Sequence, residues 1–410
     1  MAFHGWRIAW ALAVTQTVGY GVLYYAYSVF TVPMELELGL GRAATSGAFS
    51  VALLLSGVAA APIGRWVDAR GARVPMSAGS LLGAVAVFAW SHAASAPALY
   101  AAQAAVGLAM GLTLYDVAFT VLAAWFRRDR IRAMLLVTMV AGLASTIFVP
   151  VATLALEELG WRAALRLLAL VLALTCVPLH ALVLRDRPRR LGLEPDGSPL
   201  PSPAGTGAVR PPPDGDARLA LRSSLFWWLT AAFVLDRLAI VAVAAHVVPL
   251  LLERGATPGS VALVAGSIGL VQVAGRVVFA PATRVANLYT LATATYLTRV
   301  VALVTLLVLT GAAGMWVFAV LFGLANGAST LARAGLVGEA FGATHYGAIN
   351  GSMAAFIAVA QTAAPLGVGA LRMQTGSYAA AVATLAVAGV LAAVATRRAG
   401  RRARLDAAGA

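Results

Sequence analysis

The chain has 410 residues, of which 61% are hydrophobic and only 11% charged, with a formal net charge of +14 and a mean hydropathy of +0.85. Soluble domains average roughly 25% charged residues, so composition alone excludes an ordinary soluble fold. Every basic side chain other than His is Arg, and Cys176 is the one cysteine. Lysine chemistry and an intrachain disulfide are therefore excluded, and no Cys/His cluster has metal-ligand spacing, so neither a metal nor a cofactor is expected.

Uncharged runs over 8–34, 43–64, 133–156, 255–275 and 373–396 are each long enough to cross a bilayer, and 74–115 is long enough to cross twice. A spanning helix needs about 20 predominantly apolar residues. In chain order the spacing predicts helices near 7–33, 45–67, 74–93, 97–125, 132–156 and 161–184, then 225–252, 258–283, 287–311, 314–337, 345–372 and 376–396. The first run is too long for a signal-peptide core and lacks a small-residue cleavage site after it, so no cleavable leader is expected. The expected class is an all-α membrane protein with twelve transmembrane helices. Between the sixth and seventh helices, 185–224 is rich in Pro, Gly, Ser and charge and reads as a solvated linker. This gives a bundle over 1–184, the linker, a second bundle over 225–396, and a basic tail over 397–410.

The arginines sit in short clusters between apolar runs and not on a soluble face, so nucleic acid is not an expected partner. The N-terminal end and the 2–3, 4–5, 6–7 and C-terminal segments hold Arg65, Arg70, Arg73, Arg127, Arg128, Arg130, Arg132, the linker arginines, and Arg397 to Arg404. The alternate loops hold only Arg42, Arg162, Arg254 and Arg372. Because cytoplasmic loops carry the basic excess, both termini and the linker are expected in the cytoplasm, with the chain a multi-pass monomer of the cell (inner) membrane.

The halves repeat at an offset of 215–216 residues: 27–39 matches 243–255, 125–134 matches 340–349, and 156–162 matches 372–378. Pro33 falls on Pro249 and Gly160 on Gly376. Matches in this order at one offset predict two pseudo-symmetric six-helix bundles, the build of a rocking transporter.

At the 2–3 turn stands GRWVDARGAR, residues 64–73. Gly64 allows close approach of another helix, and Gly71 can take the positive φ of a tight turn. Asp68, which the positive-inside pattern does not need, can face a helix N-terminus or an Arg. This stretch, in a duplicated twelve-helix chain, resembles the loop signature Gly-x-Leu-x-Asp-Arg-x-Gly-Arg-Arg of the major facilitator superfamily. Gly64, Asp68 and Gly71 hold their spacing, Trp66 replaces Leu, and the basic positions shift to Arg70 and Arg73. The resemblance implies the major facilitator fold, and a gating role for Gly64, Asp68, Arg70, Gly71 and Arg73 in latching an outward-facing state. The other reading of the arginines is that they only hold the loop inside.

Within that superfamily HGWR (4–7), GYGVLYYAYSVF (19–30), RPRRLGLEPDG (187–197) and LVQVAGR (270–276) resemble the oxalate/formate and monocarboxylate transporter branch. The resemblance places a substrate-binding Arg at Arg276. Gln272 stands where a carboxylate partner is often found, and Tyr27 and Gln361 stand where a Lys is often found, departures that weigh against proton-coupled lactate or dicarboxylate chemistry.

Ionisable residues at membrane depth are Asp116, Asp236, Arg237, Arg276, Arg299 and Arg333. Each costs about 2.5–3.5 kcal/mol at a helix centre, so each is expected to face inward with a partner. Arg276 offers a planar fork that matches a carboxylate; the alternative is a structural ion pair. Asp236 and Arg237 point about 100° apart on a helix and cannot cancel one another; both are candidates for coupling, with Asp236 either neutralising Arg276 in the empty state or forming a structural pair. For Arg299 only structural pairing is expected. Asp116 and Arg333 lie ten and eight residues before the repeat-aligned Phe126 and Phe341. Opposite in sign and near-symmetric, they are read as an inter-half gating pair; the alternative is that each pairs in its own half. Tyr20, Tyr24 and Tyr27 share one face at i, i+4 and i+7, which makes Tyr24 and Tyr27 either ligand-facing or packed. Gln272, Gln361, Asn326 and Tyr115 complete the substrate-binding candidates, while His246 reads as structural.

The expected function is secondary active transport of a small organic anion, a carboxylate, by alternating access, with lipid as surroundings and no enzyme activity. The alternative is efflux of apolar or drug-like compounds, with Arg276 masked by Asp236. A non-transporting receptor or membrane enzyme is a remote third, lacking any nucleophile–base constellation or signalling domain.

Overall fold

The computed structural model describes residues 3–198, 217–309 and 311–408, and its described residues form helices without a regular sheet. In lipid every backbone N–H and C=O must be satisfied within its own segment, which the long apolar runs achieve as helices. The helices are α1 (His4–Gly19), α2 (Ala26–Leu38), α3 (Arg42–Arg70), α4 (Arg73–Trp90), α5 (Ala96–Thr113), α6 (Tyr115–Trp125), α7 (Arg130–Ala141) and α8 (Ala144–Pro178). After the linker come α9 (Ala217–Arg222), α10 (Ser224–Glu253), α11 (Pro258–Ala282), α12 (Leu288–Val308), α13 (Gly311–Phe341), α14 (Tyr346–Thr375) and α15 (Ala379–Ala408). Side-chain caps mark several starts: Ser95, Ser223, Thr257 and Asn287 accept the backbone N–H three residues on.

Ten described stretches are long and apolar enough to cross a membrane. The longest, Arg130–Val183, is divided by Gly160, whose φ of 75° and ψ of 160° break the helix, so it supplies two crossings. The tyrosine-rich first segment, 4–38, brings the crossings to twelve. It is not one regular helix: α1 and α2 flank a π-helical stretch at Tyr20–Tyr25. The fourth crossing is likewise broken, by extended Leu114 between α5 and α6. Periodicity alone cannot show such breaks, because one or two residues off the helical path leave the apolar pattern intact.

The chain divides into two compact units, Met1–Gly215 with Phe341–Ala358, and Asp216–Ala340 with Val359–Ala410. The boundary falls inside α14, whose first turns therefore belong to the first unit.

The sequence repeat returns as repeated contacts inside each unit. In the first, Glu37 accepts hydrogen bonds from the Trp161 indole and from Arg162 Nε (2.8 Å). In the second, Glu253 accepts from Ser377 Oγ (3.1 Å) and the Tyr378 backbone N–H (2.9 Å) and pairs with Arg372 (2.7 Å). Glu253, Ser377 and Tyr378 are Glu37, Trp161 and Arg162 displaced by 216 positions. An exposed apolar stripe, Leu81, Val85 and Phe88 on α4, recurs at the same displacement as Leu297, Val301 and Val304 on α12. These stripes face outward, where lipid covers them without cost.

Candidate functional site

At the turn after α3, Gly71 has a φ of 91°, the left-handed conformation its position required. The Asp68 carboxylate accepts the backbone N–H of Gly347 at 3.0 Å (Oδ1) and of Ala348 at 2.7 Å (Oδ2), the first turn of α14. A carboxylate on free helix N–H groups is favoured by both hydrogen bonding and the helix dipole. The approach is close: a Cβ on Gly64 would strike the Gly347 carbonyl, and one on Gly351 would strike that of Ala60. Small residues let two helices touch backbone to backbone.

The arginines of this turn divide. Arg73 donates from Nε to the Ala181 carbonyl at 2.7 Å, within its own bundle, and not to α14. Arg70 is exposed and makes no hydrogen bond or ion pair among the described residues. The gating expectation for these two is corrected on geometry: α14 offers its N–H groups here, which attract a carboxylate and repel a cation.

The segment 185–198 was expected to be solvated linker, and its described part is instead docked. Arg187 donates to the Asp68 carbonyl. Asp186 lies against Gly71 and pairs with Arg190 at 2.6 Å. Asp196, with a left-handed φ of 63°, accepts the backbone N–H groups of Arg127 (3.1 Å), Arg128 (2.8 Å) and Asp129 (3.3 Å) before α7. Two acidic residues thus tie the strap to the 2–3 and 4–5 turns. Residues 199–216 of the expected linker lie outside the described residues.

Deeper in the first unit, Asp116 at the start of α6 accepts from Asn350 Nδ2 at 2.9 Å. Arg333 belongs to the second unit. Tyr24 and Tyr115 are half-buried and joined through Tyr20, with ring centroids 6.2 Å (Tyr20–Tyr24) and 4.7 Å (Tyr20–Tyr115) apart. Tyr27 does not continue this face. The π-helical stretch rotates it inward, where it stacks on Phe49 and Trp90 and donates to the Thr45 carbonyl at 2.5 Å. Its place among ligand-facing residues is corrected accordingly: at 5% exposure it is wall packing.

In the second unit Asp236 pairs with Arg299. Arg299 is wholly buried, and its Nη2 also donates to Asn326 Oδ1 and Ser329 Oγ, both at 3.0 Å. Asn326 is therefore a partner of a structural cation, which corrects its assignment as a substrate contact. These contacts support the structural account of Arg299. Arg237, one residue on from Asp236 and on another face, donates from Nε (2.9 Å) and Nη2 (2.6 Å) to Gln361 Oε1. Arg276 is 7% exposed on α11, and Gln272 half-buried one turn before it. That helix lies tight on α13: a Cβ on Gly327 would strike the Gln272 carbonyl. His246 is satisfied by the Pro365 carbonyl (3.0 Å) and Tyr378 hydroxyl (3.3 Å), a structural place as expected.

Sequence reasoning missed Gly347, Gly351, Asn350, Asp186 and Asp196. The pair Gly347–Gly351 is a small-x-x-x-small spacing, a signal that was present. Nothing marked Asp186 or Asp196 among the other linker charges.

A family model described as Major Facilitator Superfamily matches residues 12–365. The fold is similar to that of FucP, solved in an outward conformation, with a TM-score of 0.69, 12% identity, and 95% of this chain and 98% of that one covered. It is also similar to a variant of the E. coli fucose:proton symporter FucP, with a TM-score of 0.72 at the same identity and coverage. No curated protein matches the sequence.

Proposed function

The chain belongs to the major facilitator superfamily, which makes it a multi-pass secondary transporter and not an enzyme, and we propose that its substrate is a small organic anion, a carboxylate. One observation carries this reading. Residues 225–396 contain three acidic side chains, Asp236, Glu253 and Glu339. Glu253 ends α10 and Glu339 lies in the last turn of α13, so Asp236 alone is deep in the membrane, and Arg299 holds it. Arg237, Arg276 and Arg333 are further cations of the same bundle, so its deep arginines outnumber its deep acids. A fixed cationic interior favours an anion, and a guanidinium fork suits a carboxylate. Arg276 is the counter-charge in this reading, with Gln272 one turn before it on α11; Tyr24 and Tyr115 remain the candidates of the first bundle.

Efflux of apolar compounds is the second reading; the Asp236 that would mask Arg276 in it is engaged by Arg299. The fucose and proton named for the solved structures are not carried over, because at 12% identity the likeness concerns the fold. The Asp68 contact to α14 serves as the latch that forms and breaks in each cycle, on a face that the basic excess assigns to the cytoplasm. Purified protein in proteoliposomes tests the function. Uptake of labelled small carboxylates that is saturable and competed by other carboxylates supports it; transport confined to neutral or cationic compounds overturns it.

A further inference from the structure

Resting on the organic-anion reading, we propose that Arg237 is a second carboxylate-binding residue, held ready by Gln361 through a contact that leaves its charge intact. Two guanidinium donors, Nε and Nη2, converge at 2.9 and 2.6 Å on one atom of the Gln361 amide, which must therefore be the acceptor oxygen. Nε and Nη2 form the edge that a carboxylate engages with two parallel hydrogen bonds, one oxygen to each N–H. Gln361 fills both places with a single neutral oxygen.

Three consequences follow from the chemistry. The side chain is fixed in its bound conformation before a ligand arrives, so less ordering entropy is lost on binding. The positive charge is not cancelled, because an amide carries none, and Asp236 faces away onto Arg299. An arriving carboxylate brings charge and a second oxygen, so it displaces the amide from the fork. Both residues are half-buried. A glutamate at position 361 would instead close the fork with a permanent ion pair.

Gln361→Glu is thus the discriminating substitution. Thermal unfolding of purified protein is followed while formate, oxalate, pyruvate and succinate are titrated singly, since a ligand of the native state raises the apparent stability. Wild type should be stabilised by at least one of them. Gln361→Glu should unfold no lower than wild type, yet bind that anion on the order of tenfold more weakly or worse. Arg237→Lys should show a similar loss, having the charge without the fork. Gln361→Met, which removes the acceptor and adds no charge, should lose only the pre-organisation of the fork, a weakening of about threefold, and Arg237→Lys serves as the test should the Glu variant fail to fold. Wild-type affinity in Gln361→Glu or in Arg237→Lys would reduce the contact to a tie between α10 and α14 and leave the anion reading standing. A wild-type protein that none of the four anions stabilises would overturn both.

Discussion

Asp236 on α10 and Arg299 on α12 form an ion pair whose cation is wholly buried and further held by Asn326 and Ser329. Removing one partner strands the other in a medium of low dielectric, at a cost of about 3–5 kcal/mol. Asp236→Asn should therefore lower the thermal unfolding temperature sharply, and Asp236→Leu combined with Arg299→Met should recover much of the loss. If Asp236→Asn is as stable as wild type while transport is lost, Asp236 acts on protons or substrate and the structural assignment fails.

The Asp68 contact stabilises whichever state brings the start of α14 onto α3. Asp68→Asn keeps the shape but weakens both hydrogen bonds to Gly347 and Ala348, a change of about 0.5–2 kcal/mol by analogy with helix caps. That suffices to shift a two-state balance several-fold. A single cysteine at position 348, buried beside this contact, should be alkylated faster in the Asp68→Asn background and faster still with Gly351→Ala. Unchanged alkylation with slowed transport would move Asp68 from latch to some other step.

Asp196 gathers three backbone N–H groups before α7, and its left-handed backbone suits Asn and Gly as well as Asp. Asp196→Ala leaves those donors to water and adds backbone strain, for a loss of about 1–3 kcal/mol. Limited proteolysis within 185–198 should accelerate in Asp196→Ala and much less in Asp196→Asn. Equal cleavage of all three proteins would mean that the strap is not anchored by this side chain.

Much of this architecture was legible because the bilayer imposes it. Run length gave the crossings, and duplication gave the equivalence that Glu37 and Glu253 display through matching contacts. Gly64, Gly71 and Asp68 could be read from the turn because each does something that only its residue type does. Partners across helices were not legible. Whether Asp236 meets Arg276 or Arg299 depends on helix rotation, which one π-helical stretch or one extended residue such as Leu114 resets. Tyr27 was misplaced for that reason. The strap was missed because composition measures only whether a segment can bury a core; 185–198 docks through hydrogen bonds instead.

Asp116 and Arg333 are proposed as a gating pair that closes in one state and opens in the other. Asn350 already donates to Asp116, so the carboxylate is held at its helix start. Asp116→Asn and Arg333→Gln should each slow turnover. The exchange Asp116→Arg with Arg333→Asp should restore part of it, because the proposed pair is then present with its signs reversed. An exchange no better than the single variants, measured in the same proteoliposomes, would show that the two residues are not partners.

The central claim, that a guanidinium at Arg276 binds a carboxylate, is tested most directly by titrating purified protein with carboxylates and their neutral amide counterparts, acetate with acetamide and succinate with succinamide, in wild type and Arg276→Lys. A carboxylate should stabilise wild type where its amide does not. That response should be lost in Arg276→Lys, whose unfolding temperature without ligand stays near that of wild type, since the charge is kept but the two parallel hydrogen bonds are not. Equal responses to acid and amide, or a carboxylate response undiminished in Arg276→Lys, would contradict it.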